Sequence, residues 1–142
     1  MKPIITACSH EVELFSVRTK NKIVRNLINI LKPRIEDFDA IAITGYSSSM
    51  ISPIIAYKLK KNIVLVRKES EERISSYQTE GIHNQRCIFI DDCIATGDTF
   101  MRINKGLKLI KCTLVGFILY NDGGYMNGQL YKKIPSWGNA TI

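Results

Sequence analysis

Four short, almost continuously apolar runs constrain the fold of this 142-residue chain more than any other feature. They cover residues 39–45, 62–68, 86–91 and 113–120, and helix-like segments separate them along the chain. A strand that is apolar on both faces needs a covering layer on each face, which is typical of a parallel sheet between two layers of helices. The sequence therefore predicts an α/β fold with a doubly wound parallel sheet, formed as a single domain over residues 1–142.

Amphipathic spacing predicts the helices that separate these strands. Residues 20–32 place their apolar side chains on one helical stripe. Residues 50–59 predict a second helix, with Ser52 as its N-cap and Pro53 in its first turn. A third helix is predicted from about residue 99 to residue 109. The second and third of these helices connect consecutive strands of the predicted sheet, and the first precedes the first strand.

The connection between the second and third strands has a different character. Residues 69–84 are polar and show no helical or strand periodicity, so the sequence predicts a long loop. Loops of this length inside a small domain are usually either linkers or functional lids. A linker between two core strands is the less favoured alternative, and we interpret residues 69–84 as a lid.

Charge and cysteine content limit the partners and the compartment. Twenty basic and 13 acidic residues give a net charge of +7, which favours either nucleic acid or phosphorylated small molecules as partners. The four cysteines form no CxxC pair, so we expect reduced thiols in a cytoplasmic protein, with neither a zinc site nor a disulfide framework. No apolar run is long enough for a membrane span.

The most informative stretch is CIFIDDCIATGDT, residues 87–99. Asp91 and Asp92 follow an apolar strand, at the sheet edge where open parallel sheets bind ligands. Two adjacent carboxylates suit hydroxyl groups, a hydrated cation, or both. The following turn offers backbone N–H groups, hydroxyls and a helix N-terminus, which predict a phosphate site. The residues of this predicted site are Ala95, Thr96, Gly97, Asp98 and Thr99.

Residues 88–99, IFIDDCIATGDT, resemble the phosphoribosyl pyrophosphate (PRPP) motif of the type I phosphoribosyltransferase family. That motif has apolar residues, two acids, two or three small or apolar residues, and then Thr/Ser-Gly-x-Thr. The order of elements over about residues 20–120 is similar as well. The resemblance implies the flavodoxin-like strand order 2-1-3-4, and a small hood from about residues 1–18 and 121–142. Asp98 departs from the residues that the family usually has at this position.

Two further segments lie where the resemblance implies pyrophosphate binding. Arg67 and Lys68 match the Arg-Lys pair that precedes the lid in the adenine and orotate branches. The exit of the first strand, TGYSSS, matches the family's pyrophosphate loop. Its residues are Thr44, Gly45, Tyr46, Ser47, Ser48 and Ser49.

The resemblance leaves the base open. Residues 75–77 and the pair Glu80-Gly81 in the lid are similar to a segment of the adenine branch. Trp137, in the segment IPSWG, resembles the tryptophan that stacks on the base in xanthine–guanine enzymes. The alternative interpretation of Trp137 is a partly exposed aromatic residue that anchors the tail. The lid thus points to adenine or orotate, whereas the tail points to a 6-oxopurine.

The function that the resemblance implies is transfer of ribose 5-phosphate from PRPP to a nucleobase, a purine in preference, by a homodimer that uses Mg²⁺. Asp91 and Asp92 would hold the ribose hydroxyls, directly or through the water shell of the metal. Arg67 and Lys68 would add positive charge to the departing pyrophosphate. The alternative is a regulatory protein of the same fold that binds PRPP and also RNA or DNA, without catalysis. The lysines compatible with that alternative are Lys58, Lys60, Lys61, Lys105, Lys108 and Lys111.

Overall fold

The computed structural model of the protein describes residues 15–69, 76–92, 97–120 and 134–139. The strands are β1 (Ala40–Ile43), β2 (Asn62–Val66), β3 (Thr79–Glu80), β4 (Arg86–Asp91), β5 (Thr113–Leu119) and β6 (Ser136–Asn139). The helices are α1 (Val17–Leu31), α2 (Gly45–Leu59) and α3 (Asp98–Leu109), and a 3₁₀ turn, Lys32–Arg34, follows α1. The six strands form one sheet in the order β3-β2-β1-β4-β5-β6.

The four central strands confirm the predicted topology. Strands β2, β1, β4 and β5 are neighbours and run parallel, which is the order 2-1-3-4 expected of the four apolar runs. Each of these strands lies within its predicted range. Parallel neighbours that are separated in the chain by helices produce a doubly wound sheet with its switch point between β1 and β4.

Two edge strands were not predicted. Strand β3 lies inside the predicted loop 69–84 and pairs antiparallel with β2, so the sheet is not wholly parallel. Strand β6 lies in the tail assigned to the hood and pairs parallel with β5. Segments of two and four residues are too short for a clear period-2 pattern, and their pairing depends on partners that are distant in sequence.

Helix α2 begins earlier than predicted. It starts at Gly45 instead of Met50, so Ser52 is not its N-cap and Pro53 lies in its interior. The prediction assumed that proline belongs in the first turn, where its missing N–H costs nothing. Burial of Ile51 and of other residues of α2 against the sheet offsets the lost backbone hydrogen bond. The segment TGYSSS is consequently the start of a helix and not an open loop.

Alternating side chains of the sheet pack against two helical layers. Ile41 and Ile43 of β1 belong to the apolar cluster that includes residues of α1 and α2. Ala40 and Ala42 belong to the second cluster, together with residues of α3. Both faces of the central strands are therefore covered, as their continuous hydrophobicity predicts.

An ion pair closes the amino-terminal edge of the sheet. Asp39 accepts hydrogen bonds from the Arg86 guanidinium at 2.8 and 3.0 Å and from the Arg86 backbone N–H at 2.9 Å. The hydrogen bonds from the Arg86 side chain and backbone lower the pKa of Asp39 to about 2. This contact aligns the starts of β1 and β4, at the end of the sheet opposite to the predicted site.

Two of the four cysteines lie in the described part of the chain. Cys87 and Cys112 are free and buried, and burial raises the pKa of the Cys87 thiol well above its ordinary value. Cys8 and Cys93 lie outside the described residues. Within the described part of the chain, no three histidine, cysteine or acidic side chains gather as a candidate metal site. The helices in that part are too short or too polar to cross a bilayer.

Trp137 anchors β6 on the sheet. Its ring meets the Phe38 ring edge-on at 5.9 Å between centroids, and the Arg34 guanidinium lies 4.7 Å from its centroid. Gly116 of β5 provides the space, because a Cβ atom there would lie 2.3 Å from Trp137 Nε1. Since Phe38 precedes β1, Trp137 packs toward the amino-terminal edge of the sheet.

This close approach predicts that Gly116→Ala destabilises the protein. The new methyl group must displace the indole, which we expect to cost about 1–3 kcal/mol of unfolding free energy. Thermal unfolding followed by circular dichroism measures the loss, and emission of the single tryptophan reports the displacement. In a Trp137→Leu background the same glycine substitution should cost much less. An unchanged melting temperature and emission spectrum in Gly116→Ala would contradict this packing.

Candidate active site

The two predicted ligand segments meet at the carboxyl-terminal edge of the sheet. Asp91 ends β4, and Ser47 lies in the first turn of α2, directly after β1. The Ser47 hydroxyl donates a hydrogen bond to Asp91 Oδ1 at 3.2 Å. This bond joins the exits of two adjacent parallel strands, at the switch point where a ligand is expected.

The acidic pair is buried. Asp91 is 7% exposed and Asp92 is 5% exposed, and Asp91 Oδ1 also accepts a hydrogen bond from the Asp92 backbone N–H at 2.9 Å. Burial, and then the negative charge of Asp92, raise the pKa of Asp91 to about 8. At neutral pH the unliganded pair therefore retains one proton. Such a pair is suited to a cation or to hydroxyl donors, either of which would offset the buried charge.

The exit of β1 presents an unsatisfied hydroxyl and open space. Thr44 is the N-cap residue of α2, but its buried Oγ1 has no hydrogen-bond partner among the described residues. Gly45 has φ of +67°, and a Cβ atom there would have no atom within 4 Å. The first N–H groups of a helix lack intrahelical acceptors and favour anions. This exit is therefore open to an anionic ligand.

The other predicted residues of this segment differ in where they point. Ser48 is buried, and its Oγ lies 3.4 Å from that of Ser52, so it faces the core. Ser49 Oγ donates to the Gly45 carbonyl at 2.5 Å. Tyr46 is 78% exposed. A cleft of about 330 Å³ lies beside them, lined by Gly45, Tyr46, Ser49, Leu65, Val66 and Lys68.

Arg67 and Lys68 are separated in the structure. Lys68 lines the cleft, whereas Arg67 forms an ion pair with Glu80 at 2.5 Å and donates to the Tyr77 carbonyl at 3.1 Å. The predicted pair is thus not directed at one ligand in this state. Glu80 was not identified from the sequence as the partner of Arg67. The opposite charges of the two residues, on either side of the β2–β3 connection, could have indicated this ion pair.

The predicted phosphate turn is described in part. Gly97 is buried, has φ of +90° and precedes the first residue of α3. Asp98 is exposed, and Thr99 is half-buried. Ala95 and Thr96 lie outside the described residues. Because α3 follows β4, its N-terminus lies on the same edge of the sheet as Asp91.

Trp137 is not brought together with these residues. Its contacts with Phe38 and Arg34 lie toward the opposite edge of the sheet. Those contacts agree with its alternative interpretation as an aromatic anchor of the tail.

Comparison with known proteins shows similarity to orotate and adenine phosphoribosyltransferases. The orotate phosphoribosyltransferase of Pyrococcus furiosus is 23% identical over 120 residues, which are 80% of this chain and 66% of that protein. The adenine phosphoribosyltransferase of Paraburkholderia phymatum is 31% identical over 114 residues, which are 68% of this chain and 61% of that protein. The chain thus spans less than two thirds of either relative. No protein-family profile matches it.

Solved structures share the fold. The orotate phosphoribosyltransferase of Aeropyrum pernix superposes with a TM-score of 0.73 at 15% identity, over 92% of this chain and 76% of that chain. The adenine phosphoribosyltransferase of Thermoanaerobacter pseudethanolicus gives 0.67 at 21% identity, over 89% and 84%. Identities this low establish the architecture, and the chemistry has to be argued from the site itself.

Proposed function

We propose that this chain, a relative of the type I phosphoribosyltransferases in sequence and fold, transfers ribose 5-phosphate from PRPP to a nucleobase and releases pyrophosphate. One observation carries the proposal: the buried pair Asp91–Asp92 is hydrogen-bonded through Ser47 to the exit of β1. The carboxylate pair, which would bind ribose hydroxyls, therefore lies between the N-termini of α2 and α3, and each N-terminus could bind an anion. The supporting resemblance is the PRPP motif, residues 88–99.

In this proposal each segment would bind a different part of the substrate. The turn at residues 95–99 would hold the 5-phosphate at the N-terminus of α3. Asp91 and Asp92 would accept hydrogen bonds from the ribose hydroxyls. Residues 44–49 other than Ser48, which faces the core, would hold the pyrophosphate together with Lys68 from the cleft. C1 of the ribose would then lie between the two helix N-termini.

The reaction requires stabilisation of charge more than a nucleophile from the protein. Displacement at C1 passes through an oxocarbenium-like state, as in glycoside cleavage. The acidic pair places negative charge next to the ribose as positive charge develops on it. Lys68 would stabilise the negative charge that accumulates on the leaving pyrophosphate. The lid, residues 69–84, would exclude the water that would otherwise hydrolyse PRPP.

The donor set fits Mg²⁺. The ion commonly binds one or two carboxylates together with substrate oxygens and water, and Asp91 and Asp92 offer two buried carboxylates. Burial and the negative charge of Asp92 raise the pKa of Asp91 to about 8, and a bound cation would offset this buried charge. When bound, Mg²⁺ would neutralise charge on the pyrophosphate.

We propose a purine as the base. The higher identity of the two relatives named above is with an adenine enzyme, at 31%. The tail residue Trp137 no longer argues for a 6-oxopurine, because it packs against Phe38. Orotate is the competing base, since the other relative is an orotate enzyme.

Pyrophosphate release from PRPP with a panel of bases tests both parts of the proposal. We expect release that depends on Mg²⁺ and on one base, with adenine ahead of hypoxanthine, guanine and orotate. A preference for orotate would contradict the proposed purine base but support the proposed transfer reaction. Absence of release with every base, together with no heat on titrating PRPP in the presence of Mg²⁺, would refute the function.

Thr44→Val separates ligand binding from stability. The Thr44 hydroxyl is buried and has no described partner, so its loss should leave the melting temperature unchanged or slightly higher. If the hydroxyl binds the pyrophosphate, KM for PRPP should rise about tenfold, which corresponds to about 1.4 kcal/mol. Ser48→Ala is the matched control, because Ser48 faces the core, and it should leave KM unchanged. An unchanged KM in Thr44→Val would remove Thr44 from the site.

The exposed face of α2 supports the homodimer that we also propose. Tyr46 and Tyr57 are 78% and 85% exposed, and Met50 and Pro53 between them are only half-buried. Spacing of four, three and four residues places these side chains on one side of the helix. Exposed apolar patches of this kind mark protein interfaces. Light scattering of the purified protein measures its mass, and a monomer at micromolar concentration would contradict the dimer.

A further inference from the structure

The outward face of α1 consists of basic and amide side chains. Residues 17–34 include six basic residues and no acidic residue. The opposite side of α1 is buried, through residues that include Ile23 and Leu27, so these polar side chains are held toward solvent. We define the α1 basic face as six exposed positions at helical spacing: Arg18, Asn21, Lys22, Arg25, Asn29 and Lys32.

A groove of about 530 Å³ lies between this face and α2. Its lining combines positive charge from both helices with amide groups and half-buried or buried aliphatic side chains. A basic rim over an aliphatic floor suits a ligand that is anionic on one side and apolar on the other. The lining residues are Asn21, Val24, Arg25, Ile28, Asn29, Lys32, Lys58 and Leu59.

The charges of this region are not neutralised within the described part of the chain. The ion pairs found there join Arg67, Arg86 and Lys105 to carboxylates, and none involves the α1 basic face or Lys58. A solvated helix face usually alternates acids and bases, and like charges three or four residues apart cost stability. Arg18, Lys22 and Arg25 have this unfavourable spacing. An anionic partner would offset the repulsion.

We propose that the groove and the α1 basic face bind a single strand of nucleic acid. The face extends over 15 residues from Arg18 to Lys32, which is about 21 Å from end to end and is longer than one nucleotide. None of its six positions is apolar, whereas the centre of a protein interface usually is. The concave groove admits one strand, with phosphates at Arg25, Lys32 and Lys58 and bases toward the aliphatic floor.

This inference is independent of the proposed function. The residues that would hold PRPP lie at the carboxyl-terminal edge of the sheet, in segments that follow β1, β2 and β4. The α1 basic face precedes β1, and of the residues that line the groove only Lys58 and Leu59, at the end of α2, belong to an element that also contributes to the site. Loss of one activity should therefore leave the other intact.

Fluorescence anisotropy with labelled oligouridylate and oligothymidylate tests the proposal. We expect both strands to bind, and log Kd to change with log salt at about 0.7 per phosphate contact, giving a slope of about 2 for the three contacts named above. In Arg25→Gln/Lys58→Gln we expect affinity at about 0.1 M salt to fall about tenfold and the slope to fall by about 1.4. Lys105→Gln/Lys108→Gln loses the same charge from α3 and should bind almost normally. Arg25→Lys/Lys58→Arg should retain most of the affinity.

Each contrary result overturns the proposal in a defined way. Equal losses in the two glutamine variants would show attraction by net charge alone. Competition by uridine monophosphate as effective per mole as by the oligomer would indicate a nucleotide site. Tighter binding to duplex DNA, or to vesicles of phosphatidylserine, would assign the face to another polyanion. Circular dichroism and pyrophosphate release should be unchanged in the groove variant, which distinguishes loss of this surface from loss of fold or catalysis.

Discussion

Replacement of Asp92 by asparagine should lower kcat for pyrophosphate release at least about tenfold, or about 1.4 kcal/mol of barrier. Asp92 follows β4 and is 5% exposed, beside Asp91 at the carboxyl-terminal edge. The asparagine amide keeps the shape but removes the negative charge that would face the developing oxocarbenium ion. Because the substitution acts on the transition state, we expect kcat to fall more than KM rises.

Steady-state kinetics at saturating PRPP and Mg²⁺ measure this effect. The matched control is Asp37→Asn, which removes an exposed carboxylate near the opposite edge of the sheet and should leave kcat unchanged. Product binding, followed by the thermal shift with the nucleoside monophosphate, should persist in Asp92→Asn and would show that the site remains folded. Kinetics identical to those of the natural chain would remove Asp92 from the mechanism.

Asp91→Asn should make the protein more stable while it loses activity. The raised pKa of Asp91, about 8 against an ordinary 3.8, means that the folded chain retains a proton that the unfolded chain releases. Stability therefore falls as pH rises from about 4 to about 8. Asparagine is neutral throughout, and its Oδ1 can still accept the hydrogen bonds from Ser47 and from the Asp92 backbone.

Melting temperatures measured between pH 5 and pH 8 test this expectation. The gain of Asp91→Asn over the natural chain should increase with pH and reach several degrees at pH 8. Asp37→Asn should show no such increase, since Asp37 is exposed. A gain that is absent, or that is larger at pH 5 than at pH 8, would contradict a shared proton in the acidic pair. A gain that increases with pH as expected would show that the unliganded acidic pair lowers stability, as residues that are required for function often do.

The central fold could be predicted because its signals are local. Continuous apolar runs indicated β1, β2, β4 and β5, and a parallel sheet followed from their covering helices. The start of α2 was wrong by five residues, because Pro53 was given more weight than burial of the surrounding helix. Strands β3 and β6 depend on pairing across the chain, which no short window of sequence contains.

The site could be predicted as two segments but not as a set of contacts. The acidic pair and the small polar residues after β1 directly follow buried strands, and such residue types at such positions indicate a ligand site. That Ser47, and not Ser48, reaches Asp91 depends on the helical phase of α2, which begins at Gly45. Likewise Trp137 was interpreted through its neighbours in sequence, whereas the space opened by Gly116 determines where its ring lies.

The ion pair between Arg67 and Glu80 would affect turnover in the proposed reaction. Arg67 already holds an internal anion, so a phosphate that recruits its guanidinium has to take the place of the Glu80 carboxylate. The net binding free energy of the incoming phosphate is then only the difference between its attraction to Arg67 and that of Glu80. The displaced carboxylate stays nearby and can pair with Arg67 again. Glu80 would therefore act as a built-in competitor that limits how tightly pyrophosphate is held and hastens its departure.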